Sequence, residues 1–506
     1  TLKPFVERCL QQRLELSPTV LRHLEIFATY KGEGTGSLFS AINRTQTSSG
    51  ARLLRQWLAF PLTKQTEIFL RQNQVTDWMK DPGRLKKLRD ILSSQGDIER
   101  RLGKIAQPQS NARDLQSLAF SIRLGLEALI FSGKESLEEE KDSFQEVSLL
   151  AHEIDSTLVE EPPLQVRQGH LIRKGYSDSL DELIALSQDS QSLLSQMEAK
   201  EREKTGISSL KIRYNNVFGY YIEITNAHKD KVPDNYLRKQ TLSNAERYCT
   251  DELIELEKKV LTAQSKREDL EFAIFEKLKE KVLTNAPALL SLASVCSELD
   301  VITSLSWLAL ERKYTRPQFV EAGILLKASR HPVVEQTVSK NFVPNDIRIG
   351  DLEQKQSGCL LLTGPNMAGK STLMRQVALT VILGQMGSFV PADLALLPVF
   401  DHIFTRIGAS DQLSEGLSTF MVEMTETSEM LAKSGRRSLV VLDEIGRGTS
   451  TFDGMSLAQS ILEYLLTEVR ATTLFATHYH ELTKLETLFP LLKNAHMTVS
   501  EKSGEI

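Results

Sequence analysis

The stretch TGPNMAGKST, Thr363 to Thr372, has the residue types to hold a triphosphate. Gly364, four intervening residues, Gly369, Lys370 and Ser371 form a complete phosphate-binding loop. Glycines there let backbone N–H groups wrap phosphate oxygens, and the positive end of the following helix adds to the attraction. In such a loop the lysine reaches the β- and γ-phosphates and the hydroxyl holds Mg²⁺. Gly364, Pro365, Asn366, Met367, Ala368, Gly369, Lys370, Ser371 and Thr372 are therefore the expected nucleotide-binding residues, with ATP and Mg²⁺ as the expected cofactors. SLVVLDE, Ser438 to Glu444, reads as an apolar strand ending in two carboxylates. Asp443 is expected at the strand's C-terminal end, where open α/β sheets bind ligands, and there it would organise Mg²⁺. Glu444 beside it suits activation of an attacking water.

Two further stretches follow the same logic. TTLFATHYHEL, Thr472 to Leu482, reads as another strand, and His478 at its end is placed to sense the γ-phosphate. A surface histidine satisfied by its neighbours is the alternative. LSEGLSTFMVEM, Leu413 to Met424, sets Ser414, Gly416, Ser418 and Thr419 before a helix. Such a loop can offer N–H and hydroxyl groups to a phosphate. A plain helix N-cap explains Ser418 equally well.

These motifs need a sheet, and from about Tyr314 strand and helix patterns alternate as in an α/β domain. Upstream the pattern is helical, with LLRQWLAFPL (Leu53–Leu62), GTGSLFSAIN as a turn and helix, and EVSLLAHEI as a further helix. Two long helices stand out. One runs from about Ser177 to Lys204, its serine and aspartate supplying capping groups. The other runs from about Asp251 to Leu283, with apolar Leu253, Leu256, Val260, Ala263, Leu270 and Ile274 at three- and four-residue steps and Arg267 breaking one heptad place. At 1.5 Å per residue they are roughly 40 and 50 Å long. A helical bundle and a pair of antiparallel levers both fit this pattern. Between them SLKIRYNNVFGYYIEIT alternates and is rich in β-branched and aromatic residues, which reads as a strand with a bend at Gly219. From Ile207 to Thr250 there are seven basic and four acidic residues, a local balance of +3. Lys211, Arg213, Arg238, Lys239 and Asn244 could contact a nucleic-acid backbone, although ordinary surface charge explains the same count.

The whole chain carries a formal charge of -5, with 41% hydrophobic and 25% charged residues. That excludes a generally basic, histone-like protein, so any nucleic-acid contact must be local. Four scattered cysteines, Cys9, Cys249, Cys296 and Cys359, fit a reducing compartment better than a disulfide framework. No apolar run approaches the ~18 residues of a membrane span. The expectation is a cytoplasmic protein, nucleoid-associated if bacterial, with no membrane partner.

TGPNMAGKST, STFMVEMTET, LDEIGRGTSTFDG and ATHYHEL resemble the ATPase motifs of the MutS family of DNA mismatch-repair proteins. SSGARLLRQWLAFPL resembles the family's lever domain, and VFGYYIEIT and NYLRKQTLSNAERY resemble its clamp. The clamp favours the bacterial mismatch-repair branch. The resemblance implies a multidomain fold: an all-α lever/core domain with an inserted small β clamp, followed by an α/β P-loop ATPase domain of ABC type. The expected divisions are 1–16 as a connector remnant, 17–206 and 247–313 as lever/core, 207–246 as clamp, and 314–506 as ATPase. It further implies a homodimer with composite ATPase sites around mismatched duplex DNA, and a MutL-type downstream repair protein as partner. Glu444, Lys370 and His478 are then catalytic and Ser371 and Asp443 hold the metal. Ser418 reaches the nucleotide of the other subunit, and Phe342, just before VPND, packs on adenine.

Full-length members carry a mismatch-reading domain before the levers, and only a few residues precede Glu15 here. The expectation is a fragment cut at both ends. The family's Phe-x-Glu reader pattern occurs at Phe5, Phe144 and Phe319, none in the family's surroundings, so no reader is assigned. Three rivals stand beside the mismatch-repair reading: a relative that clamps recombination intermediates, a transporter engine prompted by LSEGL, and a scaffold with an inactive nucleotide site.

Overall fold

A computed structural model describes residues 12–133, 141–215, 219–337, 342–365, 368–407 and 419–498. The expectations resting on Asn366, Met367, Ser418 and the last strand of the chain fall outside those residues. By packing, the chain forms two compact units, one of Ser94–Ser294 and one of the residues through Ser93 together with Val295 onward. The helical regions expected over 17–206 and 247–313 thus contribute to both.

In the unit Ser94–Ser294, the helix Ala112–Ser132 starts on a capping box between Asn111 and Asp114 and stops at Gly133 with φ 74°. It packs along the helix Lys141–Thr157. The two long helices are Asp178–Thr205 and Asp251–Thr284, and they pack against each other. The first ends, and the second begins, at a small antiparallel sheet, so they run antiparallel; Lys200 and Glu252 pair at 3.7 Å near that end. Ser177 does not supply the expected cap: its hydroxyl faces that of Ser179, and Asp181 instead accepts from the N–H of Gly175. Thr250 does cap the second helix, accepting from Leu253 N–H. The buried face of that helix shifts after Ala263 to Glu271, Phe275, Leu278 and Val282, leaving Leu270 and Ile274 half-buried. Arg267 is no defect: it pairs at 2.8 Å with buried Glu271, which also accepts the N–H of Leu171 at 2.7 Å.

The small sheet has strands β1 (Lys211–Asn215), β2 (Gly219–Thr225), β3 (Leu237–Thr241) and β4 (Ala245–Cys249) in the order β1-β2-β4-β3. The expected single bent strand is in fact a hairpin, with Asn215 opposite Gly219. Two asparagines and a glycine at φ 72° favour reversal over a bend. Ile212, Ile222, Ile224, Tyr236 and Tyr248 form its core together with Leu194, Met197 and Leu253 of the long helices. Polar staples hold it there. Glu198 accepts the N–H of Ile212 at 2.8 Å, Arg202 donates to Leu210 O at 2.6 Å, Glu257 accepts the N–H of Tyr220 at 3.2 Å, and Tyr236 OH donates to Glu201.

The other unit contains two sheets. β5 (Gln318–Val320), β6 (Ile324–Ser329), β7 (Asn345–Ile349) and β9 (Leu394–Pro398) form one, in the order β5-β9-β6-β7. The second, wholly parallel, orders β10 (His402–Arg406), β11 (Ser438–Asp443), β12 (Thr472–Ala476), β8 (Cys359–Thr363) and β13 (Leu492–His496) as β10-β11-β12-β8-β13. CLLLT and TTLFA are buried at every position, as expected of parallel strands covered on both faces. The helix Lys370–Gln385 is buried from Gln376 to its end. At the start of the helix Ser48–Ala59, buried Asp300 accepts from Gln46 N–H, Thr47 N–H and the Thr47 hydroxyl at 2.6–2.8 Å. Gly50 leaves room for it, since a Cβ there would come within 2.2 Å of that carboxylate.

Two helices, Ala112–Ser132 and Ala286–Arg312, are long and apolar enough to cross a membrane by length and composition. This corrects the expectation that no segment approaches that threshold. Two-thirds of the apolar window in Ala286–Arg312 is buried inside the fold, and a helix apolar on every side fits such a core position. Cys249, Cys296 and Cys359 are buried free thiols, and burial raises the thiols of Cys249 and Cys359 above their ordinary range.

Candidate functional site

β11, β12 and β8 are neighbours, so the segments leaving their C-terminal ends share one edge of the parallel sheet. From β8 the chain turns at Gly364, whose φ of 129° and close approach to Met497 O (2.6 Å from a hypothetical Cβ) leave no space for a side chain. Gly369, at φ 85°, opens the helix that starts with Lys370. Lys370 is 2% exposed and folds back over the loop, its Nζ donating to Gly364 O at 2.6 Å. Within the loop Ala368 N–H donates to Pro365 O at 3.1 Å. Thr372, in the helix's first turn, is half-buried.

Across the edge, Ser371 Oγ donates to Asp443 Oδ2 at 2.5 Å. Asp443 Oδ1 is buried and has no hydrogen-bond partner. Burial pushes the Asp443 carboxyl above its usual range, the Ser371 hydrogen bond opposes this, and the Glu444 charge adds to it. A hydroxyl and an unsatisfied carboxylate oxygen are hard oxygen donors, and Mg²⁺ commonly takes one or two such protein ligands with waters and substrate phosphates completing its shell. The residues present fit that ion. Among the described residues there is no cluster of three or more His, Cys, Asp or Glu that would suit an all-protein metal cage.

Glu444 sits in the left-handed region at φ 58°, a conformation that costs a non-glycine residue about 1 kcal/mol or more. Its N–H is held by Ala476 O at 2.9 Å. Its carboxylate meets three cationic or potentially cationic groups: Arg447 at 2.6 Å, Lys370 at 3.8 Å, and His478 Nε2 in a direct contact. His478 follows β12 and Thr477, whose N–H bonds Leu362 O at 3.0 Å. The structure thus brings Lys370, Ser371, Asp443, Glu444 and His478 to one edge. Phe342 is half-buried just before β7, which packs beside β8.

Three residues that sequence reasoning left without a role complete the edge. Glu423, 7% exposed on the helix Thr419–Lys433, accepts the N–H of Gly446 at 2.8 Å. Tyr479 OH donates to Gly446 O at 3.1 Å, so both sides of that peptide position are held. Arg447 makes the ion pair described above. Glu423 lies inside STFMVEMTET, where Glu426 and Thr427 share its helix face, and no local signal singles it out.

On the small sheet, Lys211, Arg213, Arg238, Lys239 and Asn244 are all exposed. Arg213 pairs with Glu223 at 3.6 Å and Arg238 with Glu246 at 3.7 Å, so part of the local positive balance is already neutralised. Lys229 also reaches Glu246, at 2.7 Å. Arg247 stacks over the Tyr221 ring at 4.2 Å.

Family models match both parts of this architecture: MutS domain III over residues 19–306 and MutS domain V over 360–506. The chain belongs to the MutS family. Proteins named DNA mismatch repair protein MutS are similar to it along nearly its entire length. The DNA mismatch repair protein MutS of Lactobacillus gasseri is 45% identical over 503 residues, 98% of this chain and 58% of that protein. That of Exiguobacterium sp. is 44% identical over 514 residues, covering 100% of this chain and 60% of that protein. That of Halothermothrix orenii is 46% identical over 489 residues, 95% of this chain and 54% of that protein. The chain therefore spans somewhat over half the length of these MutS relatives. Within MutS domain V lie the phosphate loop, Asp443, Glu444 and His478; the small sheet lies within the span matched by MutS domain III.

Proposed function

We propose that the chain binds and hydrolyses ATP and couples this to a clamp on mismatched duplex DNA in mismatch repair. The observation that carries the reading is the Ser371–Asp443 contact, with an unsatisfied carboxylate oxygen, at the same sheet edge as Lys370 and Glu444. Membership of the MutS family supports the role in repair.

In this reading ATP is the substrate. Gly364, Pro365, Asn366, Met367, Ala368, Gly369 and Thr372 wrap its phosphates, Lys370 neutralises the β- and γ-phosphates, and Phe342 packs on the base. Ser371 and Asp443 would hold Mg²⁺, which supplies neutralisation of the phosphate charge. Glu444 orients and deprotonates the attacking water. Before it can do so it must leave Lys370, which turns to the nucleotide. His478, touching Glu444, then reports the γ-phosphate and fixes the carboxylate's direction. Positioning and charge stabilisation carry phosphoryl transfer, so a held carboxylate matters more than a strongly basic one.

Ser418 completes the site of a second copy, making the active species a homodimer. The small sheet grips the backbone through Lys211, Arg213, Arg238, Lys239 and Asn244. Its staples to the long helices through Glu198, Glu201, Arg202 and Glu257 make sheet and helix ends move together. A MutL-type protein is the downstream partner, and the site of action is the cytoplasm, at the nucleoid in a bacterium. The test is ATP turnover by this protein, with homoduplex and mismatched duplex added. Stimulation by duplex, and duplex affinity that differs between ATP- and ADP-bound protein, are expected. Turnover and affinity indifferent to each other would overturn the reading.

A further inference from the structure

The parallel sheet has a second functional-looking edge. Opposite the phosphate loop, an open cavity of about 740 Å³ is lined by the residues that lead into the strands. Phe400 precedes β10, Arg436 and Arg437 precede β11, and Thr472 is the first residue of β12. A five-residue strand separates the two edges by about 17 Å. The volume falls in the range of small-molecule sites, roughly 300–1,000 Å³.

Three independent features converge on this cavity. Thr472 is fully buried, and its Oγ1 has no hydrogen-bond partner, although it lines the cavity. A buried hydroxyl left unsatisfied is costly, and a ligand acceptor or donor would relieve it. Four basic residues line the cavity against one acidic residue, in a chain of net charge -5. Lys355 is paired with Glu321 at 2.6 Å and Arg437 with Asp401 at 3.0 Å, whereas Arg436 and Arg470 have no carboxylate in ion-pair range among the described residues, Arg470 Nε donating only to Thr467 O at 3.1 Å. Finally, the helix Thr451–Tyr464 runs into a π-type turn, Leu465–Val469, which carries Leu466 to the cavity and leaves Arg470 in the left-handed region at φ 58°. Such turns concentrate at functional positions, and a non-glycine residue there is strained.

We propose that this cavity is a second ligand site, separate from the phosphate loop, for a small molecule with a phosphate or carboxylate group on an apolar body. Arg436 and Arg470 take the anion, Thr472 Oγ1 supplies a further hydrogen bond, and Leu466 covers the apolar part. The inference does not depend on ATP hydrolysis at the opposite edge.

Phenyl phosphate and benzoate are suitable probes, titrated calorimetrically into the protein with its phosphate loop saturated by ADP. Either probe should bind with one site per chain, and the pair distinguishes a phosphate from a carboxylate preference. The double variant Arg436→Ala/Arg470→Ala should weaken binding at least tenfold, and Thr472→Val several-fold. ADP affinity, which also reports on folding, should be unchanged in both. No heat from either probe up to about 10 mM, a weak-binding limit, would overturn the proposal. So would binding unaltered in the double variant with ADP affinity intact, or binding abolished by Lys370→Ala alone.

Discussion

Ser371 Oγ donates to Asp443 Oδ2 at 2.5 Å, while the other oxygen of that carboxylate is buried with no partner. The two residues come from segments far apart in sequence and meet because β12 lies between β8 and β11 with their C-terminal ends in register. The arrangement buries an unfavourable charge, as the raised carboxyl of Asp443 indicates.

That charge makes Asp443→Asn informative. A carboxyl raised in the folded state costs stability at pH values above its folded pKa, where it must ionise under burial. The asparagine variant should therefore unfold at an equal or slightly higher temperature without nucleotide, yet lose most of its ATP turnover. Thermal denaturation and phosphate release measured on one preparation check both halves. A large drop in thermal stability would contradict the assigned burden.

Lys370→Ala should abolish tight triphosphate binding. Glu444→Gln should retain binding and reduce turnover by about 10²–10⁴-fold, the usual worth of a positioned acid–base group. Nucleotide titration and single-turnover hydrolysis separate the effects. Equal loss of binding in both variants would assign Glu444 to holding the loop rather than activating water.

Two histidines give the α/β unit an acid limit. Burial lowers His23 and His331 to about 4, from the ordinary 6.5. His23 also faces Arg22, Arg375 and Arg406, and His331 faces Arg375. Each stays neutral in the fold and protonates more readily when unfolded, so its contribution is full above pH 6.5 and disappears as pH falls from 6.5 through about 4. The limit is about 3 kcal/mol per residue. Urea midpoints across that range should fall less steeply for His23→Gln than for the parent.

Gly219 sits where a Cβ would lie 1.7 Å from Glu257 Oε1, at φ 72°. Gly219→Ala should disrupt the Glu257–Tyr220 staple and the β1–β2 hairpin, raising hydrogen exchange across 211–249 while leaving ATP binding unchanged. Protection equal to the parent would show that the staple is dispensable.

Duplex binding should weaken with salt, with a log–log slope of about -0.9 for each phosphate neutralised. Lys211→Ala should reduce that slope by about one contact. Arg238→Ala should reduce it less, because Glu246 already pairs with that guanidinium. Titration over a salt series distinguishes the two, and a slope unchanged by Lys211→Ala would remove Lys211 from the interface.

Much of the nucleotide edge was legible in the chain. TGPNMAGKST is contiguous, and a phosphate loop is made largely from neighbouring backbone N–H groups, so spacing alone is enough to propose one. SLVVLDE and TTLFATH were readable as strands because parallel strands covered on both faces are unbroken apolar runs. Glu423 and Tyr479, which hold Gly446 from two sides, were not legible, since nothing local to either marks the other. The hairpin was misread as one strand because alternation continues through both arms, and only pairing distinguishes a reversal from a bend. The long helices were found almost to their ends, but Ser177 failed as a cap because its hydroxyl turned to Ser179.

The order of residues alone pointed to the groups proposed to bind phosphate, and gave where the long helices run and which family the motifs resemble, because each depends on chemistry within a few positions. Strand order was another matter. That β12 stands between β8 and β11, bringing Ser371 to Asp443 and His478 to Glu444, follows from how apolar surfaces pack across the whole unit. So does the opposite edge, where Thr472 is left without a partner. Burial is a property of the assembled fold, and it alone decides which polar groups are satisfied and which remain open to a ligand.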